Sequence, residues 1–237
     1  MLTIDLDKLN IVDGSKILDL GCGKGRHIHK LYYYSKCHVI GLDLSLEELQ
    51  YTYKGFQQYP DINESSDRKF SLMAGTALQL PFKDNTFDHI ICSEVLEHIY
   101  DFENVINEIY RISKPGASIG ISVPRWLPEK ICWFLSDDYH NEPGGHIRIF
   151  KYSELKRAFL ENGFNFKGKE HKHGLHSPYW WLKCYVGVKK EDNTIVNFYK
   201  KFLEWDIIER PILTRILEKL FDPLIGKSVV LYFKKNN

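Results

Sequence analysis

Asp19, Gly21, Gly23 and Gly25 sit in the run Leu18-Asp19-Leu20-Gly21-Cys22-Gly23-Lys24-Gly25, where apolar residues give way to glycines at alternate positions. Glycine adopts backbone angles that other residues avoid, and it puts no side chain between the backbone and a ligand. A second apolar run, Val39-Ile40-Gly41-Leu42, closes on Asp43, 18 positions beyond Gly25. Nucleotide-binding α/β folds place a ribose-binding carboxylate at about that distance. The chemistry implied is the holding of a nucleotide-like cofactor. The bland alternatives are turn glycines and an Asp43 that merely caps a helix.

Two further clusters carry titratable groups. Tyr139, His140, His146 and Arg148 surround Pro143-Gly144-Gly145, and His146 is the preferred base or substrate ligand among them. His171, His173 and His176 precede Tyr179, Trp180 and Trp181. Three histidines raise the question of a metal, but the flanking sequence has no carboxylate or cysteine at ligand spacing, so no metal is expected.

The elements that must position these residues follow from hydrophobic period. Short apolar runs at 16–20, 38–43, 69–74, 87–92 and 118–123 alternate with helical patterns near 26–35, 46–58 and 101–112. That alternation predicts a parallel sheet covered on both faces. Ser45 stands ready to cap the second helix, with Glu48 three residues on, and Pro115-Gly116 ends the third. Residues 125–149 read as a loop over the sheet edge. A helix over 152–162, a strand over 164–169 and a closing strand over 228–234 follow. Between the last two, residues 178–226 read as two or three apolar-faced helices, with Leu213, Ile216, Leu217 and Leu220 as a packing stripe. The whole of 1–237 reads as one domain, with 178–226 a helical cap or insertion within it.

The charge is nearly balanced at +1, which gives no reason to expect a polyanionic partner. It is unevenly spread: residues 163–237 carry 14 Lys/Arg against 8 Asp/Glu. The five cysteines show no C-x-x-C pair, so neither a disulfide framework nor a zinc knuckle is indicated. No signal peptide is recognisable and no apolar run reaches the about 20 residues that span a bilayer. A cytoplasmic location is expected, with peripheral membrane contact left open.

Five motifs, in order and in spacing, resemble those of the class I S-adenosylmethionine-dependent methyltransferases, in particular the small-molecule enzymes of methyltransferase type 11. They are Leu18–Gly25; Gly41-Leu42-Asp43; Ala74-Gly75-Thr76-Ala77-Leu78-Gln79-Leu80-Pro81-Phe82 with Asn85-Thr86-Phe87-Asp88; Ser93-Glu94-Val95-Leu96-Glu97-His98-Ile99; and Ile109-Tyr110-Arg111-Ile112-Ser113-Lys114-Pro115-Gly116. The resemblance spans about residues 10–165. It implies a Rossmann-like, doubly wound, mostly parallel seven-stranded sheet whose last strand is antiparallel, with a helical insertion before that strand. It also implies S-adenosyl-L-methionine as methyl donor, leaving as S-adenosyl-L-homocysteine.

The resemblance assigns roles residue by residue. Gly21, Cys22 and Gly23 carry the backbone past the methionine part of the cofactor, and Asp19 orients its ammonium. Asp43 accepts from the ribose hydroxyls. Leu44, Ala77 and Leu78 bracket the adenine, while Ser93, Glu94, Val95 and His98 line the amino-acid end. Thr76 departs from the family, which often has Asp at that place for the adenine amino group. Catalytic candidates are His146, His98, Tyr139 and His140; acceptor contacts are Arg148, Tyr179, Trp180 and Trp181. The acceptor is a small molecule, apolar or lipid-linked if the 178–226 helices line its pocket.

Competing readings differ at identifiable residues. A nicotinamide dehydrogenase wants Gly-x-Gly-x-x-Gly, and here Arg26 stands where the third glycine belongs. Enzymes methylating base amines usually carry Asn/Asp-Pro-Pro-aromatic where this chain has Ser93-Glu94-Val95-Leu96, which disfavours nucleic acid. An RNA or protein methyltransferase and a non-catalytic cofactor-binding protein stay as alternatives. Monomer and homodimer are both open.

Overall fold

The computed structural model describes residues 2–58 and 67–236. Seven strands form one sheet: β1 (Lys16–Leu20), β2 (His38–Asp43), β3 (Lys69–Ala74), β4 (Phe87–Ser93), β5 (Ser113–Pro124), β6 (Phe164–Lys172) and β7 (Ser228–Lys235). Their order is β3-β2-β1-β4-β5-β7-β6. The pairs among β1 to β5 are parallel, and β7 runs antiparallel to both β5 and β6. The doubly wound sheet with its antiparallel last strand and its helices inserted before that strand is therefore as expected.

The central strands are apolar throughout because both faces are covered. Leu18 and Leu20 of β1 enter one core, with Ile90 and Cys92 of β4; Ile17 and Ile91 enter the other. The pleat alone dictates that split. Helices α1 (Arg26–Tyr34) and α2 (Leu46–Gln57) cover one face, and Ser45 Oγ caps α2 by accepting from the Glu48 N–H at 3.2 Å. Helix α3 (Phe102–Ile112) covers the other face with Phe102, Val105, Ile106, Ile109 and Ile112.

Three expectations need correction. Residues 125–149 are not a plain loop: α4 (Trp126–Leu135) and α5 (Asp137–His140) form there before the chain opens around Gly144. Pro128 falls in the first turn of α4, where its missing N–H costs nothing. Strand β5 starts at Ser113, with a register shift opposite Phe87 and His89 that absorbs Pro115-Gly116, and β6 runs on to Lys172. After α6 (Tyr152–Glu161), helices α7 (His176–Val186), α8 (Thr194–Glu209) and α9 (Ile212–Ile225) fill the stretch before β7.

The third correction concerns the α9 stripe, which does not pack inward. Leu213, Ile216 and Leu220 are 63%, 59% and 59% exposed, while Thr214 and Glu218 are buried. The polar side turns inward because Arg215 bridges Asp206 of α8 at 2.6 Å and Glu218 at 2.8 Å.

Lys235 at the end of β7 closes the opposite end of the sheet. Its ammonium donates to the carbonyls of Tyr110 (2.9 Å) and Ser113 (2.8 Å) and to Asn85 Oδ1 (3.1 Å), capping the end of α3. Lys235→Met leaves these acceptors unpaired and is expected to cost about 1–3 kcal/mol in urea unfolding, with the cofactor affinity unchanged.

Candidate active site

At the carboxyl end of β1 the backbone turns through Gly21, Gly23 and Gly25 at φ values of +71°, +48° and +85°. Gly21 has a second reason to lack a side chain, since a β-carbon there would lie 2.3 Å from Val95 Cγ2. The turn is pinned to β2 by the Gly21 N–H donating to the Leu42 carbonyl at 2.7 Å. Asp43 braces it from the side: Oδ2 accepts from the Gly23 N–H (2.8 Å) and Oδ1 from the Ser45 N–H (2.9 Å). This is the topological switch point, where β1 separates strands wound in opposite directions.

A cavity of about 460 Å³ opens above the turn, within the size range of ligand pockets. Gly21, Gly23, Asp43, Leu44, Thr76, Ala77, Leu78, Glu94, Val95 and His98 line it. Leu44 is 79% exposed and Leu78 is also exposed, so apolar surface waits at one end. Thr76 Oγ1 accepts from the Leu78 N–H at 3.2 Å. Asp19, Cys22 and Ser93 do not line this cavity. Asp19 is buried beneath the turn with Oδ2 unpartnered among the described residues, and burial pushes its carboxyl up to about 7. Burial likewise pushes the Cys22 thiol above the ordinary range. Ser93 Oγ meets Ser122 Oγ at 2.8 Å, and Ser122 in turn donates to Glu94 Oε1 at 3.0 Å.

Glu94 is the shared wall. It also lines a second cavity of about 550 Å³, with Tyr139, His146, Trp180 and Lys227, and a third of about 360 Å³, with Trp180, Lys227 and Ile207. Its backbone takes the left-handed value φ +57°, unusual for a residue with a side chain.

The wall of the second cavity is organised by Glu129 on α4, which is fully buried. Glu129 Oε1 accepts from His146 Nδ1 at 2.6 Å, while Oε2 accepts from Lys227 Nζ (3.2 Å) and from the Tyr139 hydroxyl (3.3 Å). Burial alone would raise this carboxyl, but the His146 hydrogen bond and the Lys227 charge outweigh it and bring it down to about 2. Glu97 lies close by, 0% exposed, with neither carboxylate oxygen partnered among the described residues. Burial and then the Glu94 charge hold its carboxyl well above the usual range.

The sequence candidates separate accordingly. His146, Tyr139 and Trp180 meet at the second cavity, and His98 sits at the first. His140 does not join them: it stacks on Trp133 at 3.9 Å. Arg148 donates to the Tyr100 carbonyl at 2.6 Å and lies over the Phe102 ring. Trp181 donates to the Pro128 carbonyl at 3.0 Å, and Tyr179 packs by Tyr199, so both brace α7 away from the cavities. Sequence reasoning passed over Glu97, Glu129 and Lys227. Glu97 lay inside a quoted motif, whereas Glu129 and Lys227 are distant in sequence and carried no local signal. Near the other histidines, the fold brings Glu218 within ligand range of His173 and His176, although no carboxylate is near them in sequence.

A methyltransferase domain family model matches residues 11–172. The chain belongs to this methyltransferase family. Sterol 24-C-methyltransferase of Aspergillus fumigatus is 30% identical over 176 residues, covering 69% of this chain and 43% of that protein. The Clavispora lusitaniae sterol 24-C-methyltransferase is 28% identical over 211 residues, 82% of this chain and 52% of that one. The chain thus spans about half the length of the curated relatives it matches. Geranyl diphosphate C-methyltransferase of Streptomyces coelicolor A3(2), solved with Mg2+, geranyl diphosphate and S-adenosyl-L-homocysteine, shares the fold at TM-score 0.64 and 16% identity, covering 97% of this chain and 77% of that one. A methyltransferase of Methanosarcina mazei does so at TM-score 0.64 and 15% identity, with 100% and 99% covered.

The Glu129 network of this methyltransferase gives a pH prediction. Its carboxyl drops on folding from the ordinary 4.5 to about 2, so its contribution is complete above 4.5 and is lost as the pH falls through 2. Glu129→Gln is expected to cost about 3 kcal/mol at pH 7 and to flatten the stability curve between those two values, read by urea unfolding across pH.

Proposed function

We propose that this methyltransferase transfers a methyl group to a small apolar or lipid-linked acceptor that enters from a membrane surface. The observation that carries the reading is the outward apolar arc of α9. Ile212, Leu213, Ile216, Leu220 and Leu224 are exposed there, bordered by the exposed Lys219, while Glu218 of the same helix turns inward. On α8, Phe198, Trp205, Ile207 and Ile208 are exposed as well, and Ile207 also lines the cavity that reaches Glu94. Contiguous apolar surface of this kind marks an interaction site, and a lysine border favours an anionic lipid face. Among the described residues no helix is long and apolar enough to cross a membrane, so such contact would be at the surface. The sterol and geranyl diphosphate acceptors named for relatives and a neighbour agree with an apolar substrate.

At the donor end, the cavity and the turn beneath it suit the cofactor on three observations. Asp43 is fixed by two backbone N–H groups with lone pairs left for ribose hydroxyls, exposed Leu44 and Leu78 offer apolar surface for the adenine, and Asp19 under the turn keeps Oδ2 without a partner among the described residues, placed to orient an ammonium through the turn or a water. S-adenosylmethionine brings an activated methyl group on a sulfonium. The protein's contribution is alignment and exclusion of water. Glu94, at the wall between the cavities, and His98 and His146 beside it, hold the acceptor in line.

Three outcomes test this reading. Asp43→Ala is expected to weaken S-adenosyl-L-homocysteine binding at least tenfold by calorimetry and to lower the melting temperature modestly, since the Gly23 and Ser45 N–H groups lose their acceptor; unchanged affinity refutes the ribose role. Asp19 is the opposite case to Glu129: folding raises its carboxyl from 3.8 to about 7, so the ionised form is a liability that grows between those values. Asp19→Asn should therefore raise the melting temperature at pH 8, leave it unchanged at pH 4, and still weaken cofactor binding. For the acceptor, labelled methyl donor is incubated with protein and a total lipid extract. Label is expected in the organic phase, and binding to phosphatidylserine-containing vesicles should fail in Ile216→Glu/Leu220→Glu; label confined to the aqueous, protein or RNA fraction overturns the proposal.

A further inference from the structure

We propose that Glu97, His98 and His146 form a binding site for a divalent transition-metal ion, set between the cofactor cavity and the acceptor cavity. The ligating atoms of the three side chains lie within 4.8 Å of one another. His98 Nε2 and His146 Nε2 each stand 4.0 Å from the same atom, Glu97 Oε1, and the two rings are 5.0 Å apart. Donors around one ion of this size are about 3.0–3.4 Å apart, so an ion needs the three groups to close by well under 1 Å each. A small side-chain rotation supplies that.

The outer contacts fix the direction of both rings. His98 Nδ1 lies 3.1 Å from the Gly145 carbonyl and His146 Nδ1 lies 2.6 Å from Glu129 Oε1. Each partner only accepts, so each Nδ1 carries a hydrogen, and in both rings Nε2 is the nitrogen turned toward Glu97. A carboxylate or carbonyl behind the imidazole is the usual support of a metal-bound histidine. The Gly145 loop is itself tied down, by the Ile147 N–H donating to the Glu97 carbonyl at 3.0 Å.

The second, independent observation is Glu97 itself. It is 0% exposed, its side chain faces both Nε2 atoms, and neither oxygen has a hydrogen-bond partner among the described residues. A carboxylate in that position needs a proton or a cation. The two imidazole nitrogens aimed at it, in their neutral form, supply the further lone pairs with which a metal ion and this carboxylate would make one site. Two nitrogens and one oxygen on one side of an ion suit manganese, iron, cobalt or zinc, and leave positions open for a ligand. His98 lines the donor cavity and His146 the acceptor cavity, so those open positions face the place where the two substrates meet. There the ion would hold an oxygen function, hydroxyl or phosphate, on an otherwise apolar acceptor. That last step rests on the acceptor proposed above; the ion site does not. His173, His176 and Glu218 form a second group, but His173 Nε2 is engaged by Thr3 Oγ1 at 3.0 Å, so this group serves as the control.

The test uses the full chain, stripped with chelator and titrated with Co2+, followed by calorimetry and by visible absorption. One ion per chain is expected, with a rise in melting temperature on saturation. Glu97→Gln, which keeps the shape, and His146→Ala should each weaken binding at least tenfold and abolish that rise, while His176→Ala should change neither. No saturable binding, or binding that survives both substitutions, or binding lost only in His176→Ala overturns the site. Co2+ binding with no label in the organic phase would leave the metal site standing and remove the lipid acceptor; the converse would do the reverse.

Discussion

The arrangement above the sheet depends on one buried carboxylate. Glu129 is held by a histidine from the Gly145 loop, a tyrosine from α5 and a lysine at the entrance to β7, and the tyrosine ring in turn meets the histidine ring edge-on and lies under the lysine. None of them has a regular backbone ladder joining it to the others. A fully buried charge is tolerable only when its lone pairs are used, and here they are, by charge-assisted bonds that fix geometry as well as energy. The acceptor side is thereby made rigid from a single point. The donor side obeys the same logic with Asp43, whose two oxygens brace the glycine turn from the next strand.

This difference in sequence distance explains what could be read from the chain alone. The cavity over the glycine turn was legible because its parts are local: the glycines follow β1, Asp43 closes β2, and the 74–82 and 93–99 segments each carry their own pattern. The sheet was legible for the same reason, since apolar runs of strand length between helical periods leave few topologies. The acceptor side was not. Glu129 and Lys227 are 98 positions apart and become partners only through the fold. His140 and Arg148 stood with His146 as candidates along the chain, yet one turns to Trp133 and the other to Tyr100.

Helix α9 shows a different failure. Its apolar stripe was visible, and the usual inference from such a stripe is burial. The period of a helix gives the separation of its two faces but not which one turns inward. That choice was made by Arg215, which finds Asp206 on α8 and Glu218 on its own helix and draws the polar face in. An apolar face left outside by an internal ion pair has a use only if something covers it, and the nearby cavity bordered by Ile207 makes an apolar molecule the simplest candidate.

Two buried carboxylates beside the cavities keep oxygens without a hydrogen-bond partner among the described residues: Asp19, through Oδ2, below the glycine turn, and Glu97, through both oxygens, between the cavities. Both destabilise the free protein when ionised, because burial raises their carboxyls and backbone donors offset only part of it. A chain selected for stability alone would carry an amide or an apolar residue in either place. Their surroundings differ in an informative way. Asp19 has Arg26 easing its charge against Asp43, whereas Glu97 has Glu94 and Glu129 adding to the repulsion and Lys227 easing it. A single ammonium satisfies the first. The second has two imidazole nitrogens turned toward it, an arrangement of donors that a divalent ion would use together.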